Sequence, residues 1–214
     1  MILHRPQRSQ RGGFTLIELL AVIVILGILL AFLIPRLGKQ EDIVKARLTQ
    51  VRLQEIAAAI SSYEQEFGDW PHSSWQGEWG SVPDSLNVGV ECLVAQLWSP
   101  DAGGSLLSED YLDNSDGDSA LKSLTNFPSR ACFELVDQWQ NPIAYFHNRD
   151  YAREDLYLTF DPNTGEQVES KVKGWNNSLT GGPHEPRKFQ LISAGMDGVF
   201  GTLDDLTNFR RRDE

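Results

Sequence analysis

The chain has 214 residues, 41% hydrophobic and 23% charged, with 19 Lys+Arg against 30 Asp+Glu and a net charge of −11. This is globular composition and excludes wholesale disorder; the length suits one domain, or one domain with an appendage. The acidic balance excludes a protein that grips nucleic-acid backbone, which needs a basic face, and the single long apolar stretch excludes a polytopic membrane protein.

The charge is segmented. Residues 1–13 carry Arg5, Arg8 and Arg11 and no acid. Residues 14–34, FTLIELLAVIVILGILLAFLI, carry only Glu18. The rest holds 16 bases and 29 acids, an acidic body. At about 1.5 Å rise per residue the apolar run is long enough for a hydrocarbon core of about 30 Å. The three Arg before it favour an N-terminus inside and a body outside, although Arg36 and Lys39 follow. A secretory signal has an apolar core of 7–15 residues and a small-residue cleavage site. This run is longer, and Leu33-Ile34-Pro35-Arg36 offers no such site. A plain anchor leaves Glu18 unexplained, because a carboxylate in an apolar span is costly unless paired.

Gly13-Phe14-Thr15-Leu16-Ile17-Glu18, continuing through Leu19-Leu20-Ala21-Val22-Ile23 to Pro35, resembles the class III signal of type IV pilins and type II secretion pseudopilins. The resemblance implies cleavage between Gly13 and Phe14 by a prepilin peptidase and N-methylation of the new Phe14 amine. It also implies an assembly role for Glu18. The chemistry agrees: Gly13 lets the scissile backbone lie flat in a protease cleft, and cleavage there removes the basic leader but keeps the apolar helix. In a filament, Glu18 can pair with the Phe14 ammonium of a neighbouring copy, which would satisfy two otherwise buried charges.

Further on, Pro35 is expected to end or kink the apolar helix. Helical periodicity resumes with Val44, Leu48 and Val51, then Leu53, Ile56, Ile60, Tyr63 and Phe67. Lys45, Arg52, Glu55 and Glu64 form the expected solvated face, and Gly68-Asp69-Trp70-Pro71 the stop. An unbroken helix over 14–67 would be about 80 Å long, suited to packing beside copies of itself.

The body starts with a loop over 72–86, where Trp75 and Trp79 join Trp70 in capping a small core; a carbohydrate or partner platform is the alternative. A second helix is expected over 89–98. The segment 101–119, with Asp101, Glu109, Asp110, Asp113, Asp116 and Asp118, lacks EF-hand spacing and reads as a solvated acidic insertion. Strands are expected over 143–146, 155–160 and 188–193, separated by turns such as Asp161-Pro162-Asn163-Thr164-Gly165. The fold class is α+β: a long N-terminal transmembrane and amphipathic helix packed on a small, mainly antiparallel sheet.

Two C-terminal stretches are similar to those of major type II pseudopilins. Asp137-Gln138-Trp139-Gln140-Asn141-Pro142 followed by Tyr145 resembles D-P-W-G-N-P-Y-x-Y, with Gln138 in place of Pro and Gln140 in place of Gly. Ser193-Ala194-Gly195-Met196-Asp197-Gly198-Val199-Phe200-Gly201-Thr202-Leu203-Asp204-Asp205 resembles a loop that binds calcium in that family. The resemblance implies a structural Ca2+ on Asp197, Asp204 and Asp205, with Ser193 and Ala194 as further oxygen donors. Calcium takes six to eight oxygens at 2.3–2.6 Å, and glycines let a loop turn its carbonyls inward. Cys92 and Cys132 are the only cysteines. Outside the cytoplasm such a pair is expected to form a disulfide, closing a loop of about 40 residues worth roughly 3–4 kcal/mol; the alternative is two buried thiols. His4, His72, His147 and His184 show no zinc spacing, and no G-x-S-x-G or P-loop is present.

The domain reading is a leader over 1–13, a transmembrane helix over 14–34, an amphipathic helix over 35–69 and a periplasmic body over 70–214 with an insertion at about 99–136. The resemblance implies a non-enzymatic subunit of a type II secretion pseudopilus that drives export across the outer membrane. A type IV pilin and a membrane-anchored periplasmic binding domain are the alternatives. The implied partners are copies of itself, the prepilin peptidase, minor pseudopilins, the inner-membrane secretion machinery and the membrane, with no nucleic acid.

Overall fold

A computed structural model describes residues 14–102, 107–162 and 164–210, with 31–40 described in backbone only. The leader, with His4 and Gly13, lies outside the described residues. The chain forms two compact units, one ending at Asp42 and one from Ile43 onward.

Helix α1 spans Leu16–Phe67. It does not end at Pro35: a proline deletes one backbone bond, and the turns on either side keep theirs. In the first unit every large apolar side chain from Phe14 to Leu30 is between 46% and 83% exposed. Among the described residues no helix is long and apolar enough to cross a membrane; the predicted span 14–34 runs into residues 31–40, whose side chains are not described.

In the second unit α1 buries Leu53, Ile56 and Ile60 of the predicted stripe completely, while Tyr63 is half-buried and Phe67 is 43% exposed. Upstream, the stripe is not covered: Val44, Leu48 and Val51 are about half exposed, and Thr49 is buried instead. The predicted solvated face needs a correction at Arg52. It is only 7% exposed, its Nη1 donates to the carbonyls of Val136 (2.5 Å) and Asp137 (3.2 Å), and its guanidinium lies 4.0 Å from the centroid of the Tyr111 ring. A long stem ending in five donors can serve carbonyls left over at a strand end, so its charge does not keep it outside.

Helix α2 spans Val88–Leu97 and is buried from Gly89 to Leu97. Its N-cap, Asn87, takes a left-handed conformation (φ 53°). Gly89 is needed for close packing: a Cβ there would lie 2.5 Å from the Tyr145 carbonyl oxygen and 2.6 Å from the Tyr157 hydroxyl.

Seven short strands follow among the described residues, all paired antiparallel. β1 (Leu112–Asp113) pairs with β2 (Glu134–Leu135). β3 (Ala144–His147), β6 (Phe189–Ser193) and β7 (Leu206–Thr207) form a sheet in the order β3-β6-β7. β4 (Asp155–Phe160) and β5 (Gln167–Val172) form a hairpin across the predicted Asp161–Gly165 turn, with Gly165 at φ 70°. The three predicted strands are β3, β4 and β6. The fully buried side chains of α1, α2, β3, β4 and β6 meet in one core, with Tyr145, Phe146 and Tyr157 among its largest members. Trp70 packs edge-on against Phe189 at 5.2 Å, as a core cap should, and Trp75 meets Trp79 edge-on at 5.4 Å.

Candidate functional site

At the N-terminus Phe14 is 83% exposed and helix α1 starts two residues later. Glu18 Oε2 accepts the Thr15 N–H (2.8 Å) and the Thr15 hydroxyl (2.7 Å), while the Glu18 N–H donates to Thr15 Oγ1 (3.3 Å). This is a capping box, two side chains reciprocally satisfying the free N–H groups of a helix start. The sequence signal for it, Thr-x-x-Glu before an apolar run, was there to be read alongside the cleavage motif. It places the Glu18 carboxylate back toward the chain end, four residues from the amine that cleavage at Gly13 would expose.

The two C-terminal motifs are joined by tertiary contact. Asp137 is fully buried. Its Oδ1 accepts the N–H groups of Trp139 (2.8 Å) and Asn141 (3.0 Å), and its Oδ2 accepts the Ser193 hydroxyl at 2.6 Å. Burial pushes its carboxyl up to about 6, against those donors and Arg52. Asn141 Oδ1 in turn accepts the Phe160 N–H at 2.9 Å. The Ser193 side chain therefore serves Asp137 and the Gly195 N–H (3.2 Å), and Ala194 is buried beside it.

The loop that follows is drawn tight. Gly195 (φ 67°) could carry no Cβ, which would lie 2.4 Å from the Asp204 carbonyl oxygen and 2.8 Å from Asp204 Oδ2. Gly198 (φ 69°) sits equally close to the Phe160 carbonyl. Asp204 Oδ2 accepts the Asp197 N–H (3.0 Å) and Oδ1 the Thr202 hydroxyl (2.5 Å). Burial opposes the charge on Asp204, but Thr202 and the Asp197 N–H outweigh it and hold its carboxyl below its usual value. Asp205 is buried and its Oδ2 accepts the Gly201 N–H at 2.7 Å. Asp197 Oδ1 accepts the Val199 N–H at 2.8 Å. Carboxylates in a glycine-tight loop are the donor chemistry of a hard cation.

Cys92 and Cys132 are free, buried thiols, not the expected disulfide. Each thiol is instead buried near carboxylates, Cys92 by Glu91 and Cys132 by Glu91 and Asp118, and burial raises both pKa values. The acidic insertion also differs from expectation. Asp101, Glu109, Asp110 and Asp113 are exposed, but Asp116 and Asp118 turn inward toward α2, because Asn87 Nδ2 holds Ser115 (3.2 Å) and Asp116 (2.9 Å).

Comparison with known proteins agrees with the N-terminal motif. Residues 8–34 match the prokaryotic N-terminal methylation motif. The type II secretion system core protein G of Pseudomonas aeruginosa is 30% identical over 173 residues, 80% of this chain and 99% of that protein. The core protein G of Escherichia coli is 25% identical over 205 residues, 94% of this chain and 92% of that protein. No solved structure gives a significant match. With the methylation motif at its head and an aligned body that takes in nearly the whole of a 30% identical relative, the chain belongs to the type II secretion system core protein G family.

Proposed function

We propose that this chain is a pseudopilin subunit of a type II secretion system, anchored by residues 14–34 in the inner membrane with its N-terminus cytoplasmic and its body, residues 70–214, periplasmic. Prepilin peptidase removes residues 1–13 and the Phe14 amine is methylated. Copies then polymerise, with minor pseudopilins and the inner-membrane machinery, into a filament that drives export across the outer membrane. The observation that carries this reading is the methylation motif joined to core protein G similarity along nearly the full relative.

The geometry supports it in two ways. The apolar surface of α1, exposed from Phe14 to Leu30 and again at Ile43, Val44, Leu48 and Val51, is too extensive for a free subunit in water and calls for lipid or neighbouring copies. Glu18 is held at the helix start by Thr15, in reach of the chain terminus that a neighbour would present.

The C-terminal loop would hold a structural Ca2+ through Asp197, Asp204 and Asp205, aided by backbone carbonyls near Ala194; Ser193 would act through Asp137. Bound calcium would stabilise the loop by linkage. The protein's part is to present carboxylates in a loop that Gly195 and Gly198 let close.

Mass spectrometry of the protein from cells with the peptidase should find N-methyl-Phe14 as the first residue; an intact leader would refute the processing. Glu18→Ala should abolish filaments seen by electron microscopy while leaving the subunit in the membrane; normal filaments would refute the pairing. Asp204→Asn should remove one calcium equivalent from the mature protein.

A further inference from the structure

Glu91 lies on α2, 2% exposed, and neither of its carboxylate oxygens has a hydrogen-bond partner. It points into a cluster of acids. Ligand atoms of Glu91, Asp116 and Glu134 lie within 4.8 Å of one another, as do those of Glu91, Asp118 and Cys132, and of Asp84, Asp116 and Asp118. The charges acting on Glu91 are those of Asp118, Asp116, Glu134 and Asp84, all of its own sign. The donors present are few. Asn87 Nδ2 reaches Asp116 Oδ2 and Glu134 Oε1, both at 2.9 Å, and Ser115 serves Glu134 through its N–H and hydroxyl, both at 3.1 Å. None of these reaches Glu91.

We propose that Glu91, Asp116 and Glu134, with Asp118 adjoining Glu91 and Asp116, bind a divalent cation of the calcium class, at a site between α2 and the acidic insertion and separate from the C-terminal loop. Buried carboxylates of one sign need a counter-charge. Protonation is an incomplete answer, since a protonated Glu91 would bring a donor that also lacks a partner. Carboxylate oxygens gathered this closely from separate segments can close on one ion with bonds of about 2.4 Å. The donor set is carboxylate oxygen, with no histidine and one thiol at its edge, which selects a hard cation over zinc. Without an ion, burial and the neighbouring acids push Glu91 up to about 10 and Glu134 up to about 8, so the ion would displace protons as it binds. The site would tie the insertion, which the pseudopilin resemblance does not explain, to the core helix.

The test is calorimetric titration of the full mature protein in detergent with calcium. Asp204→Asn disables the C-terminal loop and should leave one equivalent bound; adding Glu91→Gln and Asp118→Asn should remove that equivalent. At about a hundred times its Kd, calcium should shift the unfolding equilibrium of Asp204→Asn about 100-fold toward the fold, and the triple variant should not respond. Glu91→Gln puts a neutral amide of the same size where the calcium-free protein holds a protonated carboxyl, so it should melt no lower than the parent without calcium. Asp118→Asn alone, at a half-buried position, should weaken binding at least about 10-fold should Glu91→Gln fail to fold. No calcium bound by Asp204→Asn, binding untouched by the Glu91 and Asp118 changes, or binding of zinc in preference to calcium would each overturn the proposal. Loss of an equivalent in the Glu91 and Asp118 variants but not in Asp204→Asn would keep it and refute calcium in the C-terminal loop.

Discussion

Gln140 occupies a backbone conformation that costs it energy. Its φ is +66°, at the position where the related pseudopilin motif has glycine, and the turn closes on Asp137 through the Gln140 N–H. A non-glycine residue in the left-handed region costs about 1–3 kcal/mol, and glycine gives back part of this as lost chain entropy. Gln140→Gly is therefore expected to raise stability by about 1 kcal/mol in urea unfolding. His147 is the residue to watch with pH. Its side chain is buried beside Asp69 and Arg149, with Asp150 near and the His72 ring stacked at 6.0 Å. Burial, then Arg149, lowers its pKa from 6.5 despite Asp69. A lowered value means the fold prefers neutral imidazole, so its contribution is present above pH 6.5 and is lost as pH falls below it. Asp137 acts in the opposite sense: raised from 3.8 to about 6, it favours the fold at low pH and loses that contribution as pH rises through this range. His147→Gln should flatten the fall in melting temperature between pH 7 and 5 relative to the parent, a difference that leaves the Asp137 contribution in both proteins.

At the scale of elements, the packing of α2 and of α1 is set by single residues. Gly89 lets α2 approach the β3 backbone and Tyr157, and the added methyl of Gly89→Ala should cost about 1–3 kcal/mol by overpacking, read from the shift in the urea midpoint. Arg52 fastens α1 to the end of β2 through two carbonyls. Arg52→Ala leaves both without their donor and should cost about 3 kcal/mol. The strands show how far pattern carries. β3, β4 and β6 are apolar and aromatic runs, and they lie where the sequence places them. β5, Gln167–Val172, is mostly polar and leaves five of its six residues exposed or half-buried, on both faces of the hairpin; its strand state comes from pairing with β4 across the Gly165 turn, so no hydrophobic period announces it.

For the whole molecule, charge and assembly are linked. The proposed removal of residues 1–13 would leave 16 bases against 30 acids, and so a mature subunit of −14 in place of −11. Bodies of one sign repel when packed side by side, over a screening length of about 30 Å at 0.01 M salt and about 8 Å at 0.15 M. Filament yield from purified mature subunits should therefore rise with salt across that range, measured by sedimentation. Calcium should raise it further at equal ionic strength if bound ions neutralise part of the body.

The N-terminal methylation motif, the long first helix, the buried stripe of Leu53, Ile56 and Ile60 and three of the strands are legible because each is local: a motif is contiguous, and a period is a repeat along one segment. The capping box was equally local, although a sequence read for processing passes over it. What only the tertiary structure decided was which polar residues go inside. Arg52 looked solvated and is buried because β2 ends in carbonyls that need a donor. Ser193 looked like a ligand and serves Asp137, 56 residues away. Cys92 and Cys132 looked like a bridge and stand as thiols. Asp116 and Asp118 looked like surface acids and converge with Glu91 and Glu134 on α2 and β2. A side chain's partners in these cases come from distant segments, and burial, which sets the energy of a charge, is a property of the assembled core that no single stretch of sequence contains.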